Sequence, residues 1–263
     1  MSWTDSIKYI KGIASKHGVD SLKQDSRSDD GLPLGAKIGG LITFQITPFV
    51  RASGAGSFVC TPTANDSIIR SIGHVNLDFP GNIYRYYMET GDDEPKKEKF
   101  LQVVIDETGT VIETMYCSSI TRLIPESEDD QNAFTGEGGV GLGQLTYTLW
   151  KDQLLDCGFS ESEMTLAFRD SDQLDYTREV GSGEYVKPFN GTEVRIDDAQ
   201  GVHGIEEQIW FTPYVRSLAD GNQEHLLITT SVVNSRDGDS SRRSIYVDFM
   251  VGIILEKERI TIQ

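Results

Sequence analysis

The chain has 263 residues, 38% of them hydrophobic and 25% charged, which is enough apolar material for a packed core and argues against wholesale disorder. Its 24 basic and 41 acidic residues leave a net charge of −17, which disfavours binding to nucleic-acid phosphates and adsorption of the whole domain to an anionic bilayer. Cys60, Cys117 and Cys157 form no C-x-x-C pair, so no zinc ribbon or thioredoxin-type motif is written here, and reduced, partly buried thiols are expected.

Trp3, Ile7, Ile10 and Ala14 recur at steps of four, three and four, which predicts an amphipathic helix in an arm spanning 1–18, closed by Gly18. The same stretch has neither the apolar segment nor the small-residue cleavage site of a signal peptide, so a cytoplasmic location is expected. Residues 19–31, reading VDSLKQDSRSDDG, have little to bury and are expected to be a flexible polar linker. A helix this short is marginal alone in water and needs a surface to lie on: its own domain, a partner or a membrane. Trp3, Ile7, Ile10 and Ala14 are the candidate partner-binding residues.

From residue 32 the pattern turns to strands. Ile42, Phe44 and Ile46 share one face at period two. SIIRSIGHVNLDF, IYRYYME, FLQVVID and TVIETMYC follow, the last two joined by a short loop at Glu107-Thr108-Gly109. Tyr84, Tyr86 and Met88 fall on one face of their strand, and Ile83, Arg85 and Tyr87 on the other. Residues 125–143 are acidic and then glycine-rich, and are expected to form a long loop. QLTYTLW, MTLAFRD, LDYTREV and TEVRID are strand-like, with a helical turn at KDQLLDCGF. IEEQIWFTPYVRSL and EHLLITTSVV flank an Asp-Gly turn, and Ile245, Val247, Phe249, Val251, Ile253 and Leu255 alternate to the end of a final strand. The expected fold is mainly β (α+β): antiparallel meanders in a sandwich- or barrel-like body over 32–263, preceded by an amphipathic helix. That body has one core or two subdomains, 33–124 and 144–263, joined by the loop 125–143.

Within that loop GEGGVG has the G-x-G-x-x-G spacing of a dinucleotide fingerprint. The fingerprint needs a buried strand before it and a helix N-terminus after it. Here a polar, acidic stretch precedes and a strand-like one follows, and the carboxylates between Glu126 and Glu137 would repel a pyrophosphate. His17, His74, His203 and His225 show no metal-ligand spacing, and neither a G-x-S-x-G nor an S-x-x-K signature is written. Cys117 reads as a small apolar strand residue. Adjacent Glu206 and Glu207 on a strand point to opposite faces and make no natural acid pair. No catalytic, cofactor-binding or metal residue is assigned from the sequence.

GLPLGAKIGGLITFQITPF at 31–49, with GIEEQIWFTPYVRSLADGNQEHLLITTSVV and YVDFMVGIILE further on, resembles the bacterial YjfK-like family, a domain of unknown function. The resemblance spans about residues 31–256 and rests on apolar and glycine placement. It implies a soluble bacterial protein, in some cases encoded beside phage-shock-like membrane-stress proteins, and brings no active-site residues. The leading expectation is a non-enzymatic cytosolic interaction or accessory protein with a protein partner, a phage-shock-like membrane-stress partner being implied by the resemblance alone. The alternatives are a small-molecule-binding β module or enzyme, with the loop 126–143 as a lid and His203, Glu206 and Glu207 near its mouth, and a structural subunit of an assembly.

Overall fold

The computed structural model describes residues 27–62, 66–77, 81–89, 98–234 and 244–263. The arm residues Trp3, Ile7, Ile10 and Ala14, the acidic triplet 92–94 and the basic pair 242–243 lie outside the described residues.

The first meander consists of β1 (Leu41–Phe44), β2 (Asp66–Leu77), β3 (Asn82–Met88), β4 (Lys99–Ile105) and β5 (Val111–Leu123). The predicted β4–β5 loop is held by the Asp106 carboxylate, which accepts the N–H groups of Thr108 at 2.8 Å and Thr110 at 2.9 Å. The second comprises β6 (Thr146–Trp150), β7 (Gln173–Arg178), β8 (Phe189–Ile196), β9 (Gly204–Ser217), β10 (Gln223–Asn234), β11 (Ser244–Ile254) and β12 (Ile260–Ile262). They meet where β1 pairs β12 and at the two seams of the barrel. β5 pairs β11, with Cys117 opposite Gly252, and β2 pairs β8, with His74 opposite Val194. The path β2-β3-β4-β5-β11-β10-β9-β8 then returns to β2, giving a closed antiparallel eight-strand barrel with extra strands and few helices.

At this strand number a barrel's interior is just wide enough for side chains to fill. One apolar cluster takes Val75, Ile83, Phe100, Cys117, Phe211, Leu227 and Met250, with Phe189 against it, so every barrel strand contributes and this cluster is the lumen. A second cluster takes the alternate residues of the same strands, among them Tyr86, Leu101, Tyr116, Leu226 and Phe249. It lies between the barrel's outer wall and an overlying layer. The strictly alternating face of β11, from Val247 to Ile253, belongs to this outer cluster, while Asp248 and Met250 face inward.

β2 and β9 each serve two neighbours in turn. β2 pairs β1 near Ile68 and β8 from Ile72 to Leu77. β9 pairs β8 from Gly204 to Phe211 and then β7 at Tyr214 and Val215. At that end β1 and β7 diverge from the barrel and carry β12 and β6 with them.

The overlying layer also contains helices α1 (Thr47–Gly54), α2 (Glu128–Thr135), α3 (Lys151–Asp156) and α4 (Glu161–Phe168). α1 is fastened by Phe49, which meets Tyr116 edge-on at 4.8 Å between ring centroids. Three segments differ from the sequence reading. Ile46 does not share the β1 face: the strand ends at Phe44, and Ile46 is the exposed N-cap of α1, where Pro48 in the first turn suits a helix start. MTLAFRD is largely in α4, not a strand: Ser160 and Glu163 form a reciprocal capping box, and Met164 and Phe168, four residues apart, bury one helical face. The expected loop 125–143 contains α2, started by the same device at Ser127 and Asp130. Its glycines have structural duties. Gly136 ends α2 in the left-handed conformation at φ 71°, and a Cβ there would lie 2.5 Å from the Pro188 ring. The local order is helix–glycine–strand, the reverse of a dinucleotide fold.

Candidate functional site

The lumen is apolar across its middle and charged at one mouth. There β3, β8, β9 and β11 direct Arg85, Glu193, Arg195, Glu207, Tyr246 and Asp248 inward, joined by Glu98 and Arg122. Arg85 Nη1 meets Glu193 Oε2 at 2.7 Å, with both side chains no more than 5% exposed. Tyr87 donates to Glu193 Oε1 at 2.6 Å, and Arg85 Nε donates to Gln102 at 3.2 Å. Gly73 makes the space: a Cβ at that position would sit 2.1 Å from Glu193 Oε1. Arg195 bonds Glu98 at 2.8 Å and lies 3.8 Å over the Tyr87 ring. Arg122 grips Asp248 with two bonds of 2.6 and 2.9 Å and lies over Tyr246, whose hydroxyl donates to Glu207. The space left among these groups is about 20 Å³, room for about one water molecule. The mouth is therefore plugged by its own charges.

Among the described residues Glu207 is the carboxylate in this plug with no ion pair, Glu193, Glu98 and Asp248 each having one. Burial raises its pKa above the usual 4.5, and the charges of Glu193 on β8 and Asp248 on β11 push the same way. Hydrogen bonds from Tyr246 and from Ser231 on β10 oppose the rise. The folded chain thus holds this proton to higher pH than the unfolded chain. The stability gained from it is present at low pH and lost as pH rises from about 4.5 through the raised pKa. Chemical denaturation of the wild type and Glu207→Gln across that window should show the wild type losing ground to the variant as pH rises. A pH-independent difference between the two would contradict this assignment.

Two further buried polar groups lie toward the other end. His225 Nδ1 meets Glu179 Oε2 at 2.8 Å, both side chains no more than 2% exposed. This is how a carboxylate orients a catalytic imidazole, but Nε2 is buried without a hydrogen-bond partner among the described residues, and His225 is among the walls of a cavity of about 320 Å³ beside α1. Glu224, fully buried, accepts from Ser57 Oγ at 2.5 Å, the Phe58 N–H at 2.6 Å, Tyr176 at 2.7 Å and Arg216 Nε at 2.8 Å. It ties the chain after α1 to β7 and β9.

Outside the barrel, where β7 diverges from β9 beyond the Thr177–Val215 pair, α4 and the β9–β10 hairpin enclose a groove of about 570 Å³. Leu166, Ala167 and Arg169 line one side of it, and Leu174, Thr177, Ser217 and Gln223 are among its other walls. A volume of this size falls within the range of small-molecule sites.

The structure separates the residues proposed for a lidded mouth. His203 and Glu206 are exposed, while Glu207 is buried in the plug. The segment 126–143 rests on the barrel's outer side, where Phe134 meets Phe249 edge-on and its carbonyl accepts Thr230. His74 bonds Asn82 at 2.9 Å on β2, away from the His225 pair. Of the free thiols, Cys117 is buried in the lumen as expected, and burial pushes its pKa up. Cys60 and Cys157 are exposed, contrary to the expectation of partly buried thiols. The groove had one legible sequence signal: an arginine, not a glycine, just after the capped helical stretch SESEMTLAF.

The family model described as "Protein of unknown function (DUF2491)" matches residues 19–261. The chain belongs to the DUF2491 family. The match takes in both meanders and therefore the whole barrel, and it leaves the arm 1–18 outside. No curated protein and no solved structure matches the chain. For this DUF2491 member, any assignment of activity has to come from the site chemistry.

Proposed function

We propose that this DUF2491 protein is a non-enzymatic accessory protein of the cytosol that acts through contacts of its outer surface and its N-terminal arm. The observation that carries this reading is the filled barrel. A closed eight-strand wall can enclose a ligand, but here apolar side chains occupy the lumen and paired charges occupy its mouth, leaving about 20 Å³. Among the described residues the imidazole oriented by a carboxylate, that of His225, has its Nε2 buried and without a hydrogen-bond partner. What remains for function is the exterior. The arm adds a second element: Trp3, Ile7, Ile10 and Ala14 form an apolar stripe beyond a polar linker, and amphipathic helices of this kind dock into partner grooves. The YjfK-like resemblance adds a context, a partner from a bacterial membrane-stress system.

The test is crosslinking in native lysate with mass-spectrometric identification, comparing the wild type with the full-length triple variant Trp3→Glu, Ile7→Glu, Ile10→Glu. One specific partner should be enriched on the wild type and reduced roughly tenfold on the variant, the loss of about 1.4 kcal/mol of contact. Equal capture by both removes the arm from the reading. No specific partner for either removes the reading itself and leaves the second one, a small-molecule-binding module, which the groove of about 570 Å³ favours.

A further inference from the structure

The groove between α4, β7 and the β9–β10 hairpin has a backbone irregularity in its wall. Arg169 has φ 54° and ψ −114°, and the Phe168 carbonyl accepts the N–H of Ser171 at 3.0 Å. These are the features of the first central position of a type II′ turn, where the residue must take positive φ and glycine is preferred. Among the described residues Leu34 is the other non-glycine residue at positive φ. An arginine held there strains the backbone where a glycine would not, and such strain persists only when the surrounding structure enforces it.

The side chain on this strained turn has no internal use. No hydrogen bond or ion pair engages the Arg169 guanidinium among the described residues, although the groove has acids nearby. Asp175, also in the lining, accepts instead from Thr148 Oγ1 at 2.5 Å. The second arginine in the lining, Arg216, is occupied by Glu224 at 2.7 Å and by the Gly56 carbonyl at 2.6 Å. Arg169 is thus the cation of the groove left with open donors. The wall is polar over most of its surface, with Ser217 and Gln223 among its neutral polar groups, and Leu166, Leu174, Val215 and Leu218 add aliphatic patches.

We propose that this groove binds an organic carboxylate carrying a short aliphatic body, with the carboxylate on the Arg169 guanidinium and the body against the leucines. A planar guanidinium matches a carboxylate with two parallel hydrogen bonds, and the leucine patches on an otherwise mostly polar wall suit a short aliphatic remainder. The inference rests on the small-molecule reading and is independent of the arm. The carboxylate could belong to a free acid or to the C-terminus of a peptide, and the two sources present the same chemistry to Arg169.

The test uses the full chain and three probes: hexanoate, N-acetyl-leucine as the peptide-like acid, and hexanamide as the uncharged control. Binding is followed by thermal shift and by amide chemical-shift changes at residues 166–177 and 215–223. The acids should raise the wild-type Tm and perturb those amides, and hexanamide should do neither. Whichever acid binds more tightly identifies the source. Arg169→Gly should abolish the acid-dependent shift while its own ligand-free Tm stays at or above that of the wild type, because the turn is relaxed. Arg169→Lys, which keeps the charge and the strain but loses the planar fork, should bind about tenfold more weakly. Three results would overturn the proposal. A fall in the ligand-free Tm of Arg169→Gly would show that the arginine is structural. Groove perturbation by hexanamide equal to that by hexanoate would keep the groove as a binding site but remove the carboxylate. The absence of any response to either acid at roughly 10 mM would remove both, since a site of even millimolar affinity is mostly filled at that concentration.

Discussion

Glu193→Ala is expected to lower folding stability by about 3–5 kcal/mol, the usual cost of removing one partner from a buried ion pair. The side chain is 3% exposed and faces an arginine that is 5% exposed. Truncation takes the carboxylate from the Arg85 guanidinium, which keeps its bond to Gln102, and removes the acceptor of the Tyr87 hydroxyl. Most of the loss would then be the cost of an uncompensated buried charge, with the lost contact itself a smaller part. The triple variant Arg85→Met, Tyr87→Phe, Glu193→Leu separates the two, because it removes the charge, the phenol and the carboxylate together. It should recover a large part of the stability in guanidinium unfolding experiments. A triple variant as unstable as Glu193→Ala would show that the loss is one of packing within the lumen.

A loss of similar size, again about 3–5 kcal/mol, is expected for Glu224→Ala, but with a different spatial signature. Glu224 receives bonds from the chain after α1, from β7 and from β9, so its removal strands the Arg216 guanidinium and the Phe58 N–H in a buried setting. Burial and the adjacent Glu224 charge hold the Tyr176 phenol well above its ordinary pKa, so it stays a donor and loses its acceptor as well. Hydrogen exchange should therefore accelerate first in 47–59, before the barrel strands respond. Uniform acceleration across the chain would mean that this carboxylate stabilises the fold globally and does not fasten one segment. Glu224→Gln should fall between the wild type and Ala, since an amide oxygen can still accept the backbone donor but carries no charge for Arg216.

The β-rich character of the chain was legible because period-two alternation is a local property. β3, β5, β9, β10 and β11 all lie where their alternation places them. The separation of Glu206 from Glu207 followed from the same rule. Of the helices outside the sequence reading, α2 and α4 have start signals that the sequence does contain. Ser160 with Glu163 and Ser127 with Asp130 are capping boxes, and the cap before MTLAF is a better guide than its strand-like residues. The candidate sites were far less legible. The plug joins Arg85 to Glu193 across 108 positions and Arg122 to Asp248 across 126. Nothing near Arg122 in the chain announces an aspartate more than a hundred residues away. For Arg169 the sequence shows an arginine after a helical stretch, but its strain and its open donors become visible only once the turn and its neighbours are placed.

The sequence by itself determined the class of the fold, the main strands with their two faces, and the strong acidic balance of the surface, because propensity, alternation and charge are carried by neighbouring residues. The tertiary structure decided which face of each strand became lumen and which became outer wall. On β11 the apolar alternate face went outward under a covering layer, and the face bearing Asp248 went inward. A period-two pattern distinguishes two faces but does not say which way a sheet curls. That is set by closure of β2 on β8 and β5 on β11, and the energy of closure comes from contacts between residues that no local rule brings together.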